Sequence, residues 1–165
     1  MTSRLHDSLS ENLVQQLDLL RKTLLQAQGK DDAFLDADRE YYRRMKHYLD
    51  QGHGECWMRH REMRDLVLGA YSHFESERYE LGEIAVLPNH THVIVRPLHG
   101  FELEEILHSW KSFTAKEINK HMNRTGPVWQ KESHDRLIRD SPELLRTERY
   151  VRNNLLPREK RESGR

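Results

Sequence analysis

The sequence predicts an α+β domain, an antiparallel sheet covered by helices. Three observations carry that expectation. Apolar residues recur at helical spacing over most of the first 75 positions and then change to extended, β-branched runs between residues 79 and 95. A Pro88-Asn89 turn separates two of those runs, as between neighbouring antiparallel strands. A long amphipathic stretch, a further extended piece and a last helix complete the order helix–strand–strand–helix–strand–helix, which buries its apolar surface as helices on a sheet. A chain of 165 residues is long enough to give one such domain a real core.

Taken in order, Met1 to Leu5 is short and ambiguous. Asp7-Ser8-Leu9-Ser10-Glu11 opens a helix, with Ser8 or Ser10 as N-cap. Leu13, Val14, Leu17, Leu20, Leu24 and Leu25 follow at helical spacing until Gly29-Lys30-Asp31-Asp32 breaks the pattern. A second helix is expected from about Asp36 to Asp50, with Tyr41, Met45, Tyr48 and Leu49 on its apolar side and Gln51-Gly52-His53-Gly54 as its end. Both helices are charged elsewhere, so residues 10–50 read as a helical hairpin, with packing as the role of Tyr41, Tyr42 and Tyr48. Cys56-Trp57-Met58 reads as a brief extended piece, and Met63, Leu66, Val67, Ala70, Tyr71 and Phe74 mark a helix over 61–74. Strands are expected over 79–87 and 92–96. A helix over 103–122 turns Ile106, Leu107, Trp110, Phe113, Ile118 and Met122 inward, and residues 128–138 read as a third strand. Asp140-Ser141-Pro142-Glu143 is a helix opening with a cap, a proline in the first turn and an acid behind it, so the last helix covers 142–155. A polar tail follows over 157–165. The expected organisation is a single domain over 1–156 that carries the 10–50 hairpin as an insertion.

The totals exclude several classes. One cysteine, Cys56, rules out a disulfide framework within the chain and makes a reducing, cytoplasmic setting the default. No apolar run approaches membrane-spanning length and the N-terminus lacks a signal-peptide pattern, so no membrane partner is expected. The formal net charge is +0, but it is segregated: residues 1–105 carry 13 Lys and Arg against 19 Asp and Glu, whereas residues 106–165 carry 14 against 8. The basic half allows a phosphate-binding face although the totals cancel; chance segregation of solvated charge is the alternative. Lys111, Lys116 and Lys120, interleaved with Ser109, Ser112 and Thr114, suit phosphate contacts, and a solvated helix face accounts for them equally well.

The chemistry centres on His90-Thr91-His92. Side chains alternate along a strand, so the two imidazoles share a face and can share a metal ion. Taken alone, the pair reads more readily as two surface or hairpin histidines than as ligands. Tyr150 and Asn154 are four apart and share a helix face, with Arg146, Arg149 and Arg152 around them. Tyr150 offers a hydroxyl and Asn154 an oxygen for a hard cation. A phenol with a pKa near 10 is a poor nucleophile on its own. A divalent ion at His90, His92 and a third oxygen would polarise a phosphodiester and stabilise charge at phosphorus, while the arginines and lysines hold the strand. The expected outcome is a phosphotyrosine link and a released hydroxyl end. A core-capping helix tyrosine is the alternative for Tyr150.

The stretch Leu87-Pro88-Asn89-His90-Thr91-His92-Val93-Ile94-Val95 resembles the HUH motif of single-tyrosine transposases, and more closely that of the REP-associated tyrosine transposases of bacteria. The resemblance extends through His108-Ser109-Trp110-Lys111-Ser112-Phe113-Thr114, Gly126-Pro127-Val128-Trp129-Gln130, His134-Asp135-Arg136-Leu137 and Tyr150-Val151-Arg152-Asn153-Asn154. It implies a ferredoxin-like domain that nicks and rejoins single-stranded DNA at hairpins through a 5′-phosphotyrosine, with Mg²⁺ or Mn²⁺, in the bacterial cytoplasm near the nucleoid and as a monomer or homodimer. By residue, it implies His90, His92 and Asn154 as metal ligands and Tyr150 as nucleophile. Trp129, Gln130 and Asp135 match positions of DNA contact or site support, and Arg136, Arg149 and Arg152 are further DNA-binding candidates beside the three lysines. Three departures stand out. Thr91 replaces an apolar residue and is expected to cost some packing; Leu155 stands where a proline is usual; and the opening strand is mostly missing, which would expose neighbouring strand edges. Two other readings remain at this point: a nucleic-acid-binding remnant without chemistry, and a metallohydrolase whose histidines activate water.

Overall fold

The computed structural model describes residues 1–28 and 31–154. The chain divides into two compact units, Asp7–Cys56 on the one hand and Met1–His6 with the residues from Trp57 onward on the other.

The Asp7–Cys56 unit is a pair of helices, α1 (Glu11–Gln28) and α2 (Asp31–Asp50). Ser10 rather than Ser8 caps α1, accepting from the Leu13 amide at 3.3 Å. Leu9, Leu17, Met45 and Leu49 are buried between the helices, with Leu13, Val14, Tyr41, Tyr42 and Tyr48 packed against them. The three tyrosines therefore pack, as expected. Helix α2 begins at Asp31 rather than Asp36. The side chains of Leu24, Leu25 and Asp36, the break at Gly29-Lys30, and Leu155 with the tail lie outside the described residues. The ends of the unit meet: the Asp7 carboxylate accepts from the Glu55 amide at 2.8 Å. Gly54 makes this approach possible, since its φ is +84° and a Cβ there would stand 2.6 Å from the Asp7 carbonyl oxygen.

The other unit begins with β1 (Thr2–Arg4) and resumes with a 3₁₀ turn (Trp57–Arg59) where an extended piece was expected; Cys56 enters it with φ +52°. It continues through α3 (Arg61–Ser72), β2 (Tyr79–Val86), β3 (His90–Pro97), α4 (Leu103–His121) and α5 (Ser141–Asn153). The sheet is antiparallel with order β1-β3-β2, so β3 is central. Thr2 lies opposite His92 and Arg4 opposite His90, while Ala85 and Val86 lie opposite His92 and Thr91.

The expected third strand over 128–138 does not form. Only two bridges do, Leu5 with Trp129 and Thr2 with His134. The reason is a mismatch of length: two residues separate the bridges on β1, whereas Gln130-Lys131-Glu132-Ser133 separate them on the other side, so the surplus bulges out. Lys111 braces that bulge, its Nζ donating to the carbonyls of Gln130 and Lys131 at 2.9 Å and of Glu132 at 3.4 Å. Further bonds run from the His6 amide to Val128 (2.8 Å) and from the Gln130 amide to Arg4 (3.0 Å). The opening strand is short, as expected, but it covers the edge of β3 that its shortness was expected to expose. Three residues suffice for β1 to pair with β3 on one side and this bridged segment on the other, so the β-α-β-β-α-β order of a ferredoxin-like fold is kept with a broken last strand.

Helices α3 and α4 cover the sheet face that bears Thr91 and Val93. Leu5, Met63, Val67, Tyr71, Tyr79, Val86, Ile106, Trp110 and Ile118 join Val93 in its core. Trp110 packs at a tilt on Tyr71 and edge-on against Tyr79, with ring centroids 4.5 and 5.0 Å away, and its indole N–H donates to the Tyr79 hydroxyl at 2.9 Å. Thr91 is fully buried on that face, and its hydroxyl is bonded to that of Tyr71 at 2.8 Å. Helix α5 packs on β2 and β3. Arg152 of α5 forms an ion pair with Glu83, which alternates with Ile84 and so shares the face of Ala85 and the two histidines.

Candidate active site

The turn that carries the histidines is tied by backbone hydrogen bonds on several sides. The Leu87 amide donates to the His90 carbonyl at 2.9 Å, the Asn89 carbonyl accepts from Leu5 at 2.8 Å, and the Pro88 carbonyl accepts from Met58 at 3.2 Å. Strand β3 therefore starts at His90, two residues before the expected limit, and both histidines are strand residues. They are buried, 1% and 3% exposed, with ring centroids 5.0 Å apart and planes at 80°.

Each imidazole is anchored through Nδ1. His90 Nδ1 lies 2.8 Å from Asn89 Oδ1, and His92 Nδ1 lies 2.8 Å from Thr2 Oγ1. The Nε2 atoms, both buried, are then the nitrogens left to present toward a cation, the usual arrangement in which an outer partner fixes the ring of a ligating histidine. These residues fit a divalent ion. Among the described residues no group of three or more His, Cys, Asp or Glu gathers, so an amide or a non-protein oxygen would have to complete the coordination of a two-histidine site.

Helix α5 brings Tyr150 to the pair. Asp140 caps the helix, accepting from the Glu143 amide at 2.7 Å with Pro142 in the first turn, as the sequence pattern implies. Backbone donation from Arg139 and the guanidinium of Arg136 hold the Glu143 carboxyl below its ordinary range. With the helix start and the Arg152–Glu83 pair fixed, the Tyr150 ring rests edge-on against His92 at 5.4 Å between centroids, and its hydroxyl is buried. Asn154 caps the C-terminus, its Nδ2 donating to the Tyr150 carbonyl at 2.6 Å. The amide nitrogen thus serves the helix end, which leaves Oδ1 as the atom able to approach a cation.

The remaining candidates separate into two groups. Arg149 on α5 and Asp135 in the preceding loop are exposed, as is Arg136, which is paired with Glu143. Lys116 and Lys120 are exposed on α4, which packs with α3, and Lys120 lies 3.9 Å from Glu117. Three others are engaged inside the fold. Trp129 is buried and donates through Nε1 to Thr114 at 2.8 Å; Gln130 donates through Nε2 to the His6 carbonyl at 2.7 Å; Lys111 braces the bulge, and burial lowers its pKa, with Glu132 opposing. These contacts make the three residues supports of the bridged segment. Thr2 and Asn89 touch the site histidines although the sequence reading assigned them no role. Asn89, adjacent to His90 in a turn, carried a faint signal; Thr2, 90 residues away in a three-residue strand, carried none.

Among the described residues no helix is long and apolar enough to cross a membrane. Neither the curated proteins nor the solved structures offer a match. The family described as "Transposase IS200 like" matches residues 61–154, more than half of the chain, from the first turn of α3 through the histidine pair to Tyr150 and Asn154. The chain belongs to the IS200-like transposases, DNA-binding and DNA-cleaving enzymes of transposition.

Proposed function

We propose that this transposase cuts and rejoins single-stranded DNA with Tyr150 as its nucleophile, and that it is of the REP-associated type, acting at hairpin-bearing DNA. The observation that carries the reading is the edge-on contact of the Tyr150 ring with His92, itself 5.0 Å from His90 on one strand face. The Tyr150 phenol oxygen attacks the scissile phosphorus, the bond to the 3′ oxygen breaks, and the 5′ phosphate remains on the tyrosine. The phenolic proton passes to solvent and the departing 3′ oxygen takes one up, which leaves a 3′ hydroxyl. Attack of a 3′ hydroxyl on the phosphotyrosine reverses these changes and frees Tyr150. Mg²⁺ or Mn²⁺ bound by His90, His92 and Asn154 would polarise the phosphate oxygens and offset charge at phosphorus. The exposed Arg149 beside Tyr150 supplies a phosphate contact, whereas Arg152 is held by Glu83 and orients α5.

The test is incubation with hairpin-bearing single-stranded DNA and Mn²⁺, read on a denaturing gel. A covalent protein–DNA adduct is expected, and it should vanish in Tyr150→Phe. Cleavage that survives that substitution would overturn the nucleophile and favour water activated at the histidines. Binding without an adduct would leave a nucleic-acid-binding protein without this chemistry.

A further inference from the structure

Strand β1 reaches the histidine pair. Antiparallel register sets Thr2 directly across from His92, and its hydroxyl oxygen lies 2.8 Å from Nδ1. A hydroxyl can donate or accept, and the two choices give opposite tautomers. If Thr2 donates, Nδ1 is bare and Nε2 carries the proton, which closes it to a cation. If Thr2 accepts, Nδ1 carries the proton and Nε2 presents its lone pair. At His90 there is no such choice, because the partner atom, Asn89 Oδ1, only accepts. Nδ1 of His90 is therefore the protonated nitrogen. Two imidazoles that share one ion must both offer a bare nitrogen, so His92 has to match His90.

We infer that Thr2 is a positioning residue of the site: its hydroxyl accepts from Nδ1–H of His92 and holds that ring in the tautomer with Nε2 open to a divalent cation. The inference rests on the reading above only in assigning the ion to His90 and His92. Thr is suited to the task because branching at Cβ restricts χ1 in a strand and presets the hydroxyl. Burial of Thr2, at 6% exposure, keeps water from replacing it.

The experiment uses the full chain labelled with ¹⁵N at histidine. Long-range ¹H–¹⁵N correlation reads the tautomers without metal, and calorimetry reads Mn²⁺ binding. Both histidines should show Nδ1–H. Thr2→Val keeps the shape but removes the acceptor; it should shift His92 toward a tautomer mixture and weaken Mn²⁺ binding about 10- to 100-fold. Thr2→Ser keeps the hydroxyl and should hold the tautomer, with binding within a few-fold of the parent. Nε2–H at His92 in the parent, undiminished Mn²⁺ binding by Thr2→Val, or a parent that does not bind Mn²⁺ each overturns the assignment. A parent with the expected tautomers and Mn²⁺ binding, the expected loss in Thr2→Val and yet no Tyr150 adduct supports Thr2 and overturns the nucleophile instead.

Discussion

Replacing Thr91 and Tyr71 singly and together tests how this chain carries a polar residue between its two site histidines. Both hydroxyls are buried, Thr91 at 0% and Tyr71 at 3% exposure, and they bond to each other at 2.8 Å. Tyr71→Phe strands the threonine hydroxyl and Thr91→Val strands the phenol. Each should cost about 1–3 kcal/mol, the penalty of a buried polar group that loses its partner. The double variant strands neither, so it should be more stable than the sum of the singles by about 1–3 kcal/mol. Urea unfolding followed by tryptophan fluorescence is the right assay, because Trp57, Trp110 and Trp129 all lie in the sheet-bearing unit and report on it without the helical pair. A second signature is alkaline. Burial pushes the Tyr71 phenol up to about 12, with the Thr91 bond pulling the other way. A raised folded-state value means that the neutral phenol contributes its stability fully below 10 and loses it as the pH climbs toward 12. Tyr71→Phe should remove that part of the alkaline loss. Additive singles, with a coupling under about 0.5 kcal/mol, would refute the claim that this pair is what accommodates Thr91.

Lys111→Met removes the ammonium that three carbonyls of the bulge share; a loss of about 1–3 kcal/mol and faster hydrogen exchange at the Gln130 amide should follow, measured by urea unfolding and exchange mass spectrometry. Glu143→Gln weakens the start of α5. Because the Glu143 carboxyl titrates below its usual 4.5, the parent holds this contribution above that value and loses it as the pH falls further, so the variant should be less stable at neutral pH and show a shallower acid decline in a pH series of melting curves. Arg149→Ala should weaken single-stranded DNA binding and lower the salt slope of the binding constant by about 1, with no loss of thermal stability, since Arg149 is exposed.

What was legible in the sequence follows from range. Helix α5 could be read to within two residues because its signals are local: Asp140 as cap, Pro142 in the first turn and Glu143 three residues beyond the cap. The shared face of His90 and His92 was legible for the same reason, since alternation needs only the strand. The edge-on approach of Tyr150 to His92 is not local, and spacing indicated only that Tyr150 and Asn154 share a helix face. The segment after Pro127 misled because its β-branched and aromatic residues satisfy a strand pattern, while the two surplus residues that break the ladder exist only by comparison with β1. Lys111 and Trp129 show a further limit. A lysine that grips phosphate and one that grips carbonyls are the same letter, and a tryptophan that stacks on a base is the same letter as one whose N–H meets a buried threonine.

The central place of β3 explains why so few residues can hold the site. One face of the strand buries Thr91 and Val93 among Tyr71, Trp110 and Ile118, and the other holds His90 and His92 under α5. A slip of one residue would drive both imidazoles into the apolar core and turn Thr91 and Val93 toward Tyr150, so register and chemistry are one constraint. Three features pin it. Thr2 is tied to His92 from β1, Thr91 is tied to Tyr71 from α3, and β2 follows with an irregularity between Leu81 and Ile84. Gly82 sits in that irregularity, where a Cβ would come within 3.0 Å of the Ile94 side chain, so the absence of a side chain lets β2 close on β3 two residues beyond His92. The two strands that flank β3 thus hold it from opposite sides, and the first, though only three residues long, bonds a site histidine through its Thr2 side chain.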